Sequence, residues 1–115
     1  VSNHGGRQLD GALSSIRVLP EIVAAVGDQV EIHLDSGIRS GQDVLKALAL
    51  GAHATWIGRA FIHGLGAMGE KGVTTALEVI RKELDTTMAL CGERDIKQVG
   101  RHNVMVPANW ATDYA

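Results

Sequence analysis

The sequence predicts an α/β protein built on parallel strands, and three observations carry that prediction. Val30, Ile32 and Leu34 alternate with Glu31 and His33, which is the two-residue period of a strand. Apolar residues recur at helical spacing before and after that stretch. The two kinds of stretch then alternate along the chain, and that order calls for right-handed βαβ units. An open doubly wound sheet and part of a (β/α)8 barrel both satisfy it, and periodicity does not separate them.

Val1 to Asn3 reads as the end of a strand, followed by a loop over residues 4–14. Ile16, Val18, Leu19, Ile22, Val23 and Val26 share a helical face. Pro20 is expected near the first turn, so regular helix is expected from about Arg17 or Leu19 to Val26, with Gly27 ending it. Strands are expected near residues 30–35 and 54–58. Between them, Ser40 with Asp43 forms a capping-box pattern for a helix carrying Val44, Leu45, Leu48 and Ala49, and Gly51 closes it. A short helix is expected over residues 61–68, weakened by Gly64 and Gly66. Val73, Leu77, Ile80, Leu84 and Met88 predict a long amphipathic helix over residues 71–90, ended by Gly92. Its charged residues, Glu83 among them, are expected on the solvated face. Asp95 is placed to cap one more turn through Val99. Residues 1–104 are read as the structured segment, and residues 105–115 as an irregular tail.

The 115 residues suffice for a real core, and 45 % apolar with 21 % charged residues describes a globular chain. The net charge of -2, with scattered Lys and Arg, argues against a nucleic-acid surface. A single cysteine, Cys91, excludes an internal disulfide and fits a reducing compartment; its helical setting predicts a core thiol. No apolar run approaches the ~20 residues of a membrane span. A cytoplasmic location follows as the expectation, with a peripheral place on the inner face of a membrane left open. His33 shares strand parity with Asp35 and is expected inward as a hydrogen-bonded core histidine. His53, His63 and His102 show no metal-ligand spacing.

Three stretches carry chemistry. In Ser2-Asn3-His4-Gly5-Gly6-Arg7, a base able to take a proton near neutral pH stands three residues before a guanidinium. Guanidinium grips a carboxylate through two parallel hydrogen bonds. By spacing alone a polar loop is the simpler reading, and chemistry on a carboxylic acid is the alternative. Asp35-Ser36-Gly37-Ile38-Arg39-Ser40-Gly41 and Gly58-Arg59 each lie between a strand and a helix, where α/β proteins place ligands. Small residues admit an anion to backbone N–H groups, and the following helix presents its positive end. Ordinary turn chemistry with surface arginines stands beside the phosphate reading at this point.

The run Ser2-Asn-His-Gly-Gly-Arg-Gln-Leu-Asp10 resembles the active-site signature of the FMN-dependent L-2-hydroxy acid dehydrogenases and oxidases. That family includes L-lactate dehydrogenase, glycolate oxidase and mandelate dehydrogenase. Asp35 to Gly41, Lys46 to Ala52, Ile57 to Arg59 and Met88 to Gly92 resemble the same family in the same order. The resemblance implies the C-terminal part of a (β/α)8 barrel, from the end of strand six through helix eight. It implies His4 as general base and Arg7 as the substrate carboxylate's partner. Asp35, Ser36, Gly37, Ile38 and Arg39 would wrap the FMN phosphate, and Gly58 and Arg59 would complete the cradle. Ser2 is implied weakly as a flavin contact.

The implied reaction is oxidation of a lactate-like L-2-hydroxy acid to the 2-oxo acid, in an enzyme expected to be a homo-oligomer. A full barrel typically needs ~250 residues. The chain is therefore expected to be an incomplete piece, inactive alone, because the flavin-ring contacts, the substrate tyrosine and the acidic partner of the histidine belong to earlier strands. Two alternatives are a non-catalytic FMN- or phosphate-binding module and another FMN barrel such as a type 2 isopentenyl diphosphate isomerase. The pairing of a base with a carboxylate clamp argues against the isomerase.

Overall fold

The computed structural model describes residues 1–108 and Trp110; Asn109 and residues 111–115 of the expected tail lie outside the described residues. The elements are α1 (Ser15–Val26), β1 (His33–Leu34), α2 (Gly41–Ala49), β2 (Ala54–Thr55), α3 (Arg59–Met68) and α4 (Glu70–Leu90). Short 3₁₀ turns occupy His4–Gly6, Ile96–Gln98 and Arg101–Asn103.

The strands are parallel, with His33 beside Ala54 and Leu34 beside Thr55. They are shorter than the period suggests, because Val30 at the start of the alternating stretch is exposed and unpaired in register. Pairing continues past their ends, where His53 donates to Ile32 at 2.7 Å and Trp56 to Leu34 at 2.8 Å. The Val1 segment lies along the other side of β1. Its amino group donates to the His33 carbonyl, and its carbonyl accepts from Asp35 N–H at 2.8 Å. The expected strand end appears only as these two strand-like hydrogen bonds of Val1, since residues 1–3 form no regular strand.

Leu19, Ile32, Leu34, Ile38, Ala47, Leu50 and Ala52 form one buried cluster between the strands and helices α1 and α2. Leu19 and Leu34 are fully buried, each contributing about 2 kcal/mol relative to exposure. Helix α1 starts earlier than Pro20 suggests. Pro20 is its sixth residue, and the turn ahead of it is held by Ser15, whose hydroxyl donates to the Ser36 carbonyl at 3.0 Å. Helix α2 has the expected capping box, and Gly51, at φ +102°, ends it. The Asp95 cap also forms, accepting from Lys97 N–H at 2.9 Å.

Helix α4 packs against both α2 and α3. Glycines make both contacts possible. A Cβ on Gly72 would sit 1.8 Å from the Gly64 carbonyl oxygen, and one on Gly41 would sit 1.9 Å from the Leu84 nitrogen. Gly64, expected to weaken α3, instead lets α3 and α4 touch backbone to backbone. One other expectation is extended and one corrected. Glu83 is exposed as expected, and its carboxylate also accepts the Gly41 N–H at 2.9 Å. Cys91 is exposed, because it stands one residue beyond the last turn of α4, next to a Leu90 that is 84 % exposed. Gly92, at φ +79°, then reverses the chain as expected.

Candidate functional site

The loop after Val1 and the two turns that follow β1 and β2 meet at one end of the strands. Between them lies a cavity of about 480 Å³. Its walls include Asn3 and Gly5 from the first loop, Ser36, Gly37, Ile38 and Arg39 from the second, and Arg59 from the third. Lys46 and Asp43 of α2 complete its charged lining. Three cations therefore face one carboxylate, and that carboxylate already accepts the Arg39 N–H at 3.0 Å and the Ser40 N–H at 3.1 Å.

Gly37 has φ +90°, a conformation open to glycine, and a Cβ there would meet nothing within 4 Å. Gly58 likewise has open space where a side chain would be. Ile38 turns the other way: its side chain is buried in the core and anchors the loop. Arg59 links the turns, since a Cβ on Gly5 would lie 3.6 Å from its guanidinium. The first loop and the last turn are thus in van der Waals reach of each other.

Which helix offers its positive end differs from expectation. Most of the first turn of α2 is already satisfied. Asp43 takes the Arg39 and Ser40 N–H groups, Glu83 takes that of Gly41, and Ser40 Oγ takes that of Asp43. Helix α3 follows Gly58 and has no side-chain cap, so its leading N–H groups remain for an anion. The uncapped α3, the open glycines and the three cations fit a phosphate group. Lys46 was not singled out in the sequence, although Arg39, Asp43 and Lys46 fall at i, i+4 and i+7, the spacing of one helical face.

His4 and Arg7 do not line this cavity; they lie on the loop whose Asn3 and Gly5 do. Both are exposed, and Arg7 N–H returns to the His4 carbonyl at 3.3 Å, so the two side chains leave the chain one tight turn apart. Asp35 faces this loop. Its carboxyl is held below the usual range, first by the Ser2 hydroxyl, which donates to it at 2.6 Å; burial opposes this, and Ser36 adds smaller lowering effects. His33 is half-buried and accepts the Trp56 indole N–H at 3.1 Å, 3.5 Å from the Glu31 carboxylate. Among the described residues no group of His, Cys, Asp and Glu is placed to hold a metal ion, and no helix is long and apolar enough to cross a membrane.

Residues 1–106 match the model of a family described as FMN-dependent dehydrogenase. The chain belongs to that family. FMN is the cofactor that goes with it, and the fold is part of a (β/α)8 barrel. Pre-mycofactocin synthase of Mycobacterium tuberculosis is 48 % identical over 113 residues, covering 98 % of this chain and 28 % of the relative. L-lactate dehydrogenase of Caulobacter vibrioides is 56 % identical over 99 residues, 86 % of this chain and 26 % of that protein. A soluble mutant of the membrane-associated (S)-mandelate dehydrogenase from Pseudomonas putida superposes with a TM-score of 0.84 at 46 % identity, over 89 % of this chain and 29 % of that structure. This member of the FMN-dependent dehydrogenase family thus spans a little over a quarter of the length of these relatives.

Proposed function

We propose that this chain is the phosphate-binding and proton-accepting part of an enzyme that oxidises an L-2-hydroxy acid to the 2-oxo acid. Residues 1–104 form the end of strand six through helix eight of its barrel, with 105–115 as the tail. The observation that carries the reading is the single cavity shared by the His4 loop and the Gly37, Arg39 and Arg59 turns. It supports reading the His4 loop as base-bearing and the two turns as an anion cradle at one end of the same strands.

Gly37, Arg39, Gly58 and Arg59 hold the FMN phosphate, with Lys46 adding charge. Asp35, Ser36 and Ile38 shape that loop from behind. The chemistry that bound FMN supplies is the acceptance of two electrons. Arg7 binds the substrate carboxylate through its planar fork, which fixes the hydroxyl-bearing carbon near His4. His4, neutral before reaction, takes up one proton at an imidazole nitrogen as the substrate is oxidised.

The test uses the full-length enzyme. Purified with FMN, it is mixed anaerobically with L-lactate or L-mandelate, and the flavin absorbance is followed. Bleaching by the L-acid is expected, and His4→Ala should retain FMN while turnover drops about 10²–10⁴-fold. An FMN-loaded enzyme that no L-2-hydroxy acid reduces would end this reading. One observation favours a second: the match to pre-mycofactocin synthase runs over 98 % of the chain, against 86 % for the lactate dehydrogenase. Under it, the same cradle and base serve the synthesis of pre-mycofactocin.

A further inference from the structure

The described residues hold two non-glycine residues with positive φ, His4 at +53° and Ser36 at +79°. They face each other across one set of hydrogen bonds. The left-handed conformation costs such residues about 1–2 kcal/mol each and persists only where the surroundings hold it. The surroundings here are side-chain oxygens: two hydroxyls and the Asn3 amide oxygen, which accepts the Gly5 N–H at 3.0 Å. Ser2 Oγ accepts the His4 N–H at 3.1 Å and donates to Asp35 at 2.6 Å. Ser36 Oγ accepts the Asn3 N–H at 3.3 Å and the Gly5 N–H at 3.2 Å. The backbone N–H of His4 and those on both sides of it are therefore held by side chains, and Asp35 anchors the group through both serines.

We infer that Ser2 and Ser36 are positioning residues for His4: they clamp the strained backbone on either side of it, and so aim an imidazole that is itself exposed. The inference rests on His4 being the base. It also gives a task to two residues of the sequence reading. The Ser2 hydroxyl bonds Asp35 and the His4 N–H, a task that stands beside any flavin contact. The Ser36 hydroxyl is committed to the His4 loop, while its carbonyl holds Ser15. Asp35 then acts through Ser2 and leaves the phosphate to Gly37, Arg39 and Arg59.

Ser2 is the sharper point of test, because its hydroxyl both accepts and donates within the clamp. In the full-length enzyme, Ser2→Ala should lower kcat about 10- to 100-fold, the scale expected when a reacting group is misplaced by about 1 Å. With FMN saturating, KM should stay close to wild type, since Arg7 is untouched. Hydrogen exchange read by mass spectrometry on a peptide covering residues 1–9 should show faster exchange of the loop amides in the variant. Ser2→Thr, which keeps the hydroxyl, should restore both kcat and amide protection. His4→Ala measured alongside separates the two claims. If His4→Ala keeps wild-type turnover, the base assignment is wrong and the clamp has nothing to aim. If His4→Ala collapses turnover while Ser2→Ala leaves kcat and exchange unchanged, the base stands and the clamp is refuted. A kcat loss that Ser2→Thr does not restore also counts against the clamp.

Discussion

Replacing Gly72 with Ala tests whether the α3–α4 contact sets the position of the cradle. An alanine in the middle of a solvated helix gains up to about 1 kcal/mol over glycine. At Gly72 the new Cβ would lie 1.8 Å from the Gly64 carbonyl oxygen, whereas ordinary contact begins at 3.4 Å. The shortfall is about 1.6 Å, and the atom in the way is backbone, so α3 must move off α4. Overpacking of this kind costs about 1–3 kcal/mol. Set against a propensity gain of that size, the net loss is about 0–2 kcal/mol, toward the larger figure because neither backbone can swing aside. Gly66, also in α3, is the control: a Cβ there meets nothing within 4 Å, so Gly66→Ala should be neutral or stabilising. Helix α3 begins at Arg59, and its displacement should also weaken FMN binding. Urea unfolding of the full-length enzyme and FMN titration by flavin fluorescence give the two readings. Equal stability of Gly72→Ala and wild type, or shifts of the same sign at both glycines, would refute the argument.

Arg39→Ala should reduce FMN affinity about 10- to 100-fold, the scale of a lost charge-assisted hydrogen bond, and leave riboflavin affinity unchanged because riboflavin has no phosphate. Equal losses for both ligands would show that Arg39 acts elsewhere. Arg7→Lys should raise KM for the hydroxy acid more than it lowers kcat, since an ammonium cannot reproduce the fork; steady-state kinetics with the purified enzyme decides it. Asp35 has a depressed carboxyl, chiefly through the Ser2 hydroxyl, so its stabilising contribution is present above the unfolded-state value and is lost as pH falls through the lower folded one. The melting temperature of wild type should therefore fall more steeply than that of Asp35→Asn below about pH 5, by an amount under ~1 kcal/mol because the group is well solvated. Parallel curves would remove Asp35 from the account.

What the sequence made legible follows from how far apart the interacting groups are in the chain. The capping box joins Ser40 to Asp43, and the Gly92 reversal closes on Met88 and Ala89, so local pattern sufficed for both. Helix and strand order came through because period is a local property, although β1 and β2 are shorter than their apolar stretches. Glu83 shows where this stops. Its partner, Gly41, is 42 residues away, and on a helical wheel it cannot be told from its solvated neighbours Lys82 and Asp85. Gly64 and Gly72 fail differently, because a glycine in a helix reads as a weakness until a second backbone is seen against it. Cys91 was misplaced because a helical stripe does not say where its last turn meets solvent. At the site, residue types were readable while their allegiances were not. Ser2, Asp35 and Ser36 announce a polar junction in sequence. Only the fold, bringing residues some 33 positions apart within hydrogen-bond distance, turns their hydroxyls and carboxylate toward the His4 backbone and leaves Gly37, Arg39 and Arg59 facing the cavity. A motif match therefore groups residues that the fold divides into two sets: one faces the cavity, and the other holds the strained loop that carries His4.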